Sequence, residues 1–215
     1  LYNVCMKILY IATDQNNPPN EPLVDYQNDC LLIGLKELFG EDVVDYMKRY
    51  HIYKDFSPEE AKKQYGKVFT LTRVLDPDNA DRSDIIKKIE KKYFDLVVYG
   101  SIWRCQDLLD IVLENYPKNK IVLVDGEDKT QFHHTVKHGV PYFKRELVWE
   151  HNWDYKDYFG NVNSIGFAFP GSKAIGPAEK KTQIYGTNDP RSAKSYVFDD
   201  ENAYYEDYSK SKYAF

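Results

Sequence analysis

Cysteine is scarce in this 215-residue chain: Cys5, Cys30 and Cys105 are odd in number and far apart. Such spacing offers neither a disulfide framework nor a paired-thiolate zinc site, and it fits a reducing compartment. Long apolar runs are missing as well, and no stretch approaches the roughly 18 residues that a membrane span requires. The apolar opening "LYNVCMKILYIATD" is too short and too weakly basic for a signal peptide, and it lacks a small-residue cleavage site. Met6-Lys7 reads as a natural start, and the expectation is a soluble, cytoplasmic protein. Positive charge is not in excess. The net charge is -5, and lysines and arginines are scattered among acids, which leaves no electrostatic footprint for nucleic acid.

Several catalytic signatures are also absent. The first apolar run is followed by "ATDQNNPP" rather than GxGxxG, and GxxxxGK[ST] occurs nowhere. The glycines that let a phosphate approach a helix N-terminus are therefore missing. There is no GxSxG elbow, so no serine nucleophile of that kind, and Cys105 on a helix flank reads as packed rather than reactive. His134 and His138 are four residues apart, with His133 and carboxylates near, but the HExxH pattern is absent. A solvated polar loop is the preferred reading there, and no metal site is assigned.

What remains is the material of a globular α/β protein. Hydrophobic residues make up 42% and charged residues 29%, enough for a sizeable core and against wholesale disorder. The 19 tyrosines and 3 tryptophans suit stacking on sugar faces, although a compositional bias of the genome explains them more simply. "KILYIATD" (7–14) reads as a buried strand opening into the proline-rich loop "QNNPPNEP". "VDYQNDCLLIGLKELFG" predicts a helix with Leu31, Leu32, Leu35 and Leu38 inward and Gly40 as its stop. Further strands are expected at 42–47, 68–75, 95–100 and 120–125, the second of these at an edge. "SPEEAKKQYG" predicts a short helix, 81–94 a helix with Ile85, Ile86 and Ile89 inward, and 101–117 a helix with Leu108, Leu109, Val112 and Leu113 inward.

Beyond Asp128 the pattern loosens. "VPYFKREL" (140–147) predicts a short strand or turn, and "WEHNWDYKDYFG" a loop or lid. The passage 162–177 holds a short strand and then a Gly/Pro-rich linker, 180–187 a new strand, and 199–215 a helix. The alternation predicts a Rossmann-like parallel sheet with helices on both faces, over residues 1–177, and the start of a second domain over 178–215.

In open parallel sheets ligands bind beyond the carboxyl ends of the strands. Three such ends carry chemistry: Thr13-Asp14, Gly100-Ser101, and the turn Asp125-Gly126-Glu127-Asp128. Together they predict a polar, acidic crevice suited to hydroxyl-rich ligands, since a carboxylate accepts hydrogen bonds from hydroxyls and repels phosphates. Each end taken alone is also an ordinary turn former. Arg104, Lys144 and Arg145 are candidate cationic contacts to the same crevice, weighed against surface roles.

Several blocks together, "VDYQNDCLLIGLKELFGEDVVDY", "FDLVVYGSIWRC", "KIVLVDGEDKT", "VPYFKREL" and "VFDDENAYYEDYSKSKYAF", resemble glycosyltransferase-like proteins of the GT-B type. The nearest group is the one related to CgeB-like and exostosin-like transferases. The resemblance implies an acceptor-holding N-terminal Rossmann-like domain, and a C-terminal domain holding a nucleotide-sugar donor whose residues would follow Phe215. It implies sugar transfer to a hydroxyl without a tightly bound cofactor or metal, and a chain that is inactive alone. Asp14, Glu127 and Asp128 are the candidate bases, with Thr13, Gly100, Ser101, Arg104, Asp125, Gly126, Lys144 and Arg145 facing the cleft. Two alternatives stay open. One is a metal-dependent GT-A transferase using the Asp125–Asp128 turn, and the other is a non-enzymatic Rossmann-like or flavodoxin-like binding module.

Overall fold

The computed structural model describes residues 6–12, 25–63 and 71–166, together with the backbone of two further strands at Thr182–Tyr185 and Ser211–Ala214. Its centre is a six-stranded, all-parallel sheet. The strands are β1 (Ile8–Ile11), β2 (Val43–Tyr46), β3 (Leu96–Tyr99), β4 (Ile121–Asp125), β5 (Tyr142–Lys144) and β6 (Val162–Ser164), in the order β2-β1-β3-β4-β5-β6. The expected α/β, Rossmann-like fold is therefore the observed one. The order reverses direction at β1, and sheets of this class bind ligands at the carboxyl ends of the strands beside such a switch point.

Alternation along each strand divides the core. Ile8, Tyr10 and Val98 face α1 (Tyr26–Phe39) in a cluster with Cys30, Leu32 and Ile33. Leu9, Ile11, Val97, Tyr99 and Leu123 face the other way, onto Ile85 and Ile89 of α3 (Ile85–Glu90) and Leu109 and Val112 of α4 (Leu109–Asn115). Both faces are covered, so β1 and β3 are hydrophobic throughout. The short helix α2 (Pro58–Lys63) starts as expected, with the Glu60 amide donating to Ser57 Oγ at 3.4 Å.

The helices depart from the simple apolar reading. On α1 the buried stripe is Asp29, Leu32, Ile33 and Lys36, whereas Leu38 is 77% exposed and Leu31 and Leu35 are half-buried. Both charged members of the stripe are paired. Asp29 meets Arg49 at 2.7 Å and His51 at 2.8 Å, and Lys36 donates to the Val43 carbonyl at 2.6 Å and pairs with Asp78. A paired charge can occupy a core position that an apolar count assigns to leucine.

Ile86 is likewise exposed, and α4 begins only at Leu109. Residues 101–108 form turns instead, with the Cys105 amide bonded to the Ser101 carbonyl at 3.0 Å and Leu108 in the left-handed region at φ 61. Arg104 therefore sits on a loop rather than on a helix. In place of the expected strand at 68–75, the described residues 71–75 hold only a bridge between Leu75 and Tyr53, and the rest of that segment lies outside the described residues.

The segment Trp149–Asn161, expected as a loop, is a kinked 3-10 stretch. At the end of the chain, β7 (Thr182–Tyr185) pairs in parallel with β8 (Ser211–Ala214), so a strand stands where a helix was expected. Pairing with β7 supplies the backbone partners that a helix would have found internally.

Candidate functional site

Helix α1 starts at the carboxyl edge of the sheet. Asp25 is its N-cap, its carboxylate accepting from the Asn28 amide at 3.1 Å. The first turn of α1 thereby places Asp25, Tyr26 and Gln27 opposite the turn that follows β4. Between them lies an open depression of about 170 Å³, closed on its other sides by Arg104, Gly126, Glu127, Asp128 and Arg145.

Arg104 ties the two walls together. Its Nε lies 2.8 Å from Glu127 Oε1 and 3.2 Å from Asp25 Oδ2. Arg145 pairs with the largely exposed Asp128 carboxylate and, through Nε, with Glu146 at 3.1 Å. Burial tends to lower the pKa of the Arg104 guanidinium, but the Glu127 hydrogen bond and the Asp25 charge outweigh it and hold the group charged. The depression is thus bordered by three carboxylates and two guanidiniums.

Asp125 and Lys144, both expected to face the cleft, lie beneath it instead. Each side chain is wholly buried, and the Lys144 ammonium lies 2.8 Å from Asp125 Oδ1. Register explains the pair: Asp125 and Lys144 are adjacent on β4 and β5. The Tyr142 hydroxyl donates to the other Asp125 oxygen, and Lys144 also reaches the Glu127 carbonyl at 3.3 Å. Burial, then the Asp125 charge, pushes the Tyr142 phenol well above its ordinary pKa, so it stays a donor. The result is a satisfied buried network that fixes the base of the acidic turn.

Consequently the three carboxylates of the turn engage three different cations: Asp125 with Lys144, Glu127 with Arg104, and Asp128 with Arg145. A divalent ion at this turn would have to displace them. Among the described residues, no group of three or more His, Cys, Asp or Glu side chains could hold a metal ion.

Gly100 and Ser101 lie at the end of β3, under α1. A Cβ on Gly100 would overlap the Tyr10 hydroxyl and the Asn28 side-chain oxygen, so glycine is required for the close approach of β1, β3 and α1. Ser101 is buried, and its Oγ has no partner among the described residues. Thr13 and Asp14 lie outside the described residues.

Asp25, Tyr26 and Gln27 were not singled out from sequence. The signal was present, because the start of a helix that follows the first strand faces the carboxyl edge of a parallel sheet. One turn further along α1 stands the buried group of Asp29, Arg49 and His51. Burial raises the Asp29 pKa, but Arg49 and His51 together bring it below the ordinary carboxylate value.

Comparison with family models, with curated proteins and with solved structures finds no match to this chain. Among the described residues, no helix is long and apolar enough to cross a membrane.

Proposed function

We propose that the depression at the start of α1 binds a hydroxyl-rich ligand, and that the chain is the acceptor-side portion of a GT-B-type glycosyltransferase. The observation that carries this reading is Arg104 bridging Asp25 and Glu127 across an open depression at the carboxyl edge of the sheet. Carboxylates accept from sugar hydroxyls and guanidiniums donate to them, so both polarities of a hydroxyl are met within one small space. The Tyr26 ring adds an aromatic surface for a sugar's C–H face.

Of the three candidate bases, Glu127 fits best. It lines the depression and is largely buried, whereas the Asp128 side chain is 94% exposed. In this reading Glu127 takes the acceptor hydroxyl proton as that oxygen bonds to the anomeric carbon and the bond to the leaving nucleoside diphosphate breaks. The nucleotide-sugar donor is held by residues outside this chain, and no cofactor or metal takes part. A cytoplasmic location belongs to the same reading.

A second reading rests on the order β2-β1-β3-β4-β5, which is the flavodoxin-like order, and makes the chain a binding module without chemistry. Transfer by the product of the whole reading frame separates the two. Incubation with UDP-, GDP- and dTDP-sugars and a panel of methyl glycosides should give a glycosylated product, and Glu127→Gln should reduce its rate about 100-fold or more while leaving acceptor binding. Binding without transfer selects the module, and absence of both removes the sugar reading.

A further inference from the structure

Among the described residues, Asn28 Nδ2, Ser101 Oγ and Trp103 Nε1 are buried without a hydrogen-bond partner, and Gln27 alone of the buried side chains lacks one at both of its polar ends. It is only 5% exposed, yet among the described residues neither its Oε1 nor its Nε2 has a hydrogen-bond partner. A buried carboxamide with both ends unsatisfied is costly, and native structures contain few such groups without a reason. Gln27 also lines the depression, next to Gly126. A Cβ at Gly126 would come within 3.1 Å of Gln27 Oε1, so glycine there leaves the carboxamide uncrowded on that side.

We infer that Gln27 is a specificity-determining contact that recognises a vicinal diol. This deepens the proposed hydroxyl-rich ligand and rests on it. A carboxamide presents an acceptor and a donor side by side. Two neighbouring hydroxyls complement it, one donating to Oε1 and the other accepting from Nε2. The surroundings favour hydroxyls over a flat amide edge: Asp25 and Glu127 accept the remaining hydroxyl protons, and Arg104 donates to their oxygens. A ligand lacking one hydroxyl of the pair would leave one end of the carboxamide buried and unsatisfied. That is how a polar site rejects a deoxy analogue.

The test is a titration of the ¹⁵N-labelled chain with methyl α-D-glucopyranoside, methyl α-D-mannopyranoside and methyl α-D-galactopyranoside, followed by monodeoxy versions of any that binds. 1-Methyluracil serves as the control that offers a donor–acceptor pair on a flat ring and carries no hydroxyl. The expected result is that the Gln27 side-chain NH₂ resonances shift with at least one glycoside, that one monodeoxy analogue binds about tenfold or more weakly, and that Gln27→Leu abolishes this preference. The wild-type side-chain resonances report directly, so the outcome does not depend on the variant folding. Glycoside binding with unmoved Gln27 resonances, or equal binding of every deoxy analogue, overturns the role of Gln27 and leaves the sugar reading standing. A Gln27 response to 1-methyluracil alone overturns the diol, and binding of no glycoside overturns both.

Discussion

The Lys144 ammonium lies 2.8 Å from the Asp125 carboxylate, and both side chains are fully buried beneath the depression. Removing one partner leaves the other charged and unpaired in the interior. Lys144→Met and Asp125→Asn should each lower unfolding free energy by about 3–5 kcal/mol, measured by urea denaturation. The double variant Lys144→Met/Asp125→Leu should be less destabilised than the sum of Lys144→Met and Asp125→Leu measured singly, because the interaction is lost once. Additive effects would show that the pair is not coupled.

Gly100→Ala should destabilise the protein by about 1–3 kcal/mol, since the added methyl overlaps both the Tyr10 hydroxyl and the Asn28 side-chain oxygen. Tyr10→Phe in the same chain should not restore stability, because the Asn28 contact remains. Thermal melts of the two single variants and the double variant check this.

His133 gives a pH dependence with a definite sign. Burial, and then the charge of neighbouring His134, lowers its pKa to about 4, against an opposing pull from Asp125. Between the ordinary 6.5 and about 4, the unfolded chain binds more protons at this residue than the folded one. Its contribution to stability is therefore complete above 6.5 and is lost progressively as pH falls toward 4. The melting temperature should fall across that window, and His133→Gln should flatten the fall.

Leu32 and Leu38 distinguish the observed face of α1 from the one expected from leucine spacing. Leu32→Ala should cost about 2–5 kcal/mol, as for a buried core leucine. Leu38→Lys should change stability by no more than about 0.5 kcal/mol, because the side chain is mostly in solvent. Equal costs at the two sites would mean that α1 packs by its leucine stripe after all.

These sites also mark what was legible in the sequence. The β1–α1–β2 opening, the strands at β3 and β4 and the parallel sheet follow from apolar runs alternating with amphipathic segments. Asp29 and Lys36 in the core were not legible, because their burial depends on Arg49, His51 and Asp78, which come from elsewhere in the chain. The start of α4 was hidden for a similar reason: the 101–108 turns are held by tertiary contacts, with Ile102 bonded to the Val124 carbonyl at 2.9 Å. At the candidate site, Gly126, Glu127 and Arg104, all three named from the sequence, line one depression. Asp125 and Lys144 were misplaced because register, which joins β4 to β5, cannot be seen in either segment alone.

The position of β1 between β2 and β3 has a consequence during synthesis. Ile8–Ile11 can pair with β2 once Tyr46 has emerged, but its other edge has no partner until Leu96–Tyr99 arrives about fifty residues later, roughly 3–10 s at ordinary elongation rates. For that interval an entirely apolar strand edge is open to any passing chain. Slowing translation between the two strands should lengthen that exposure and lower the soluble yield.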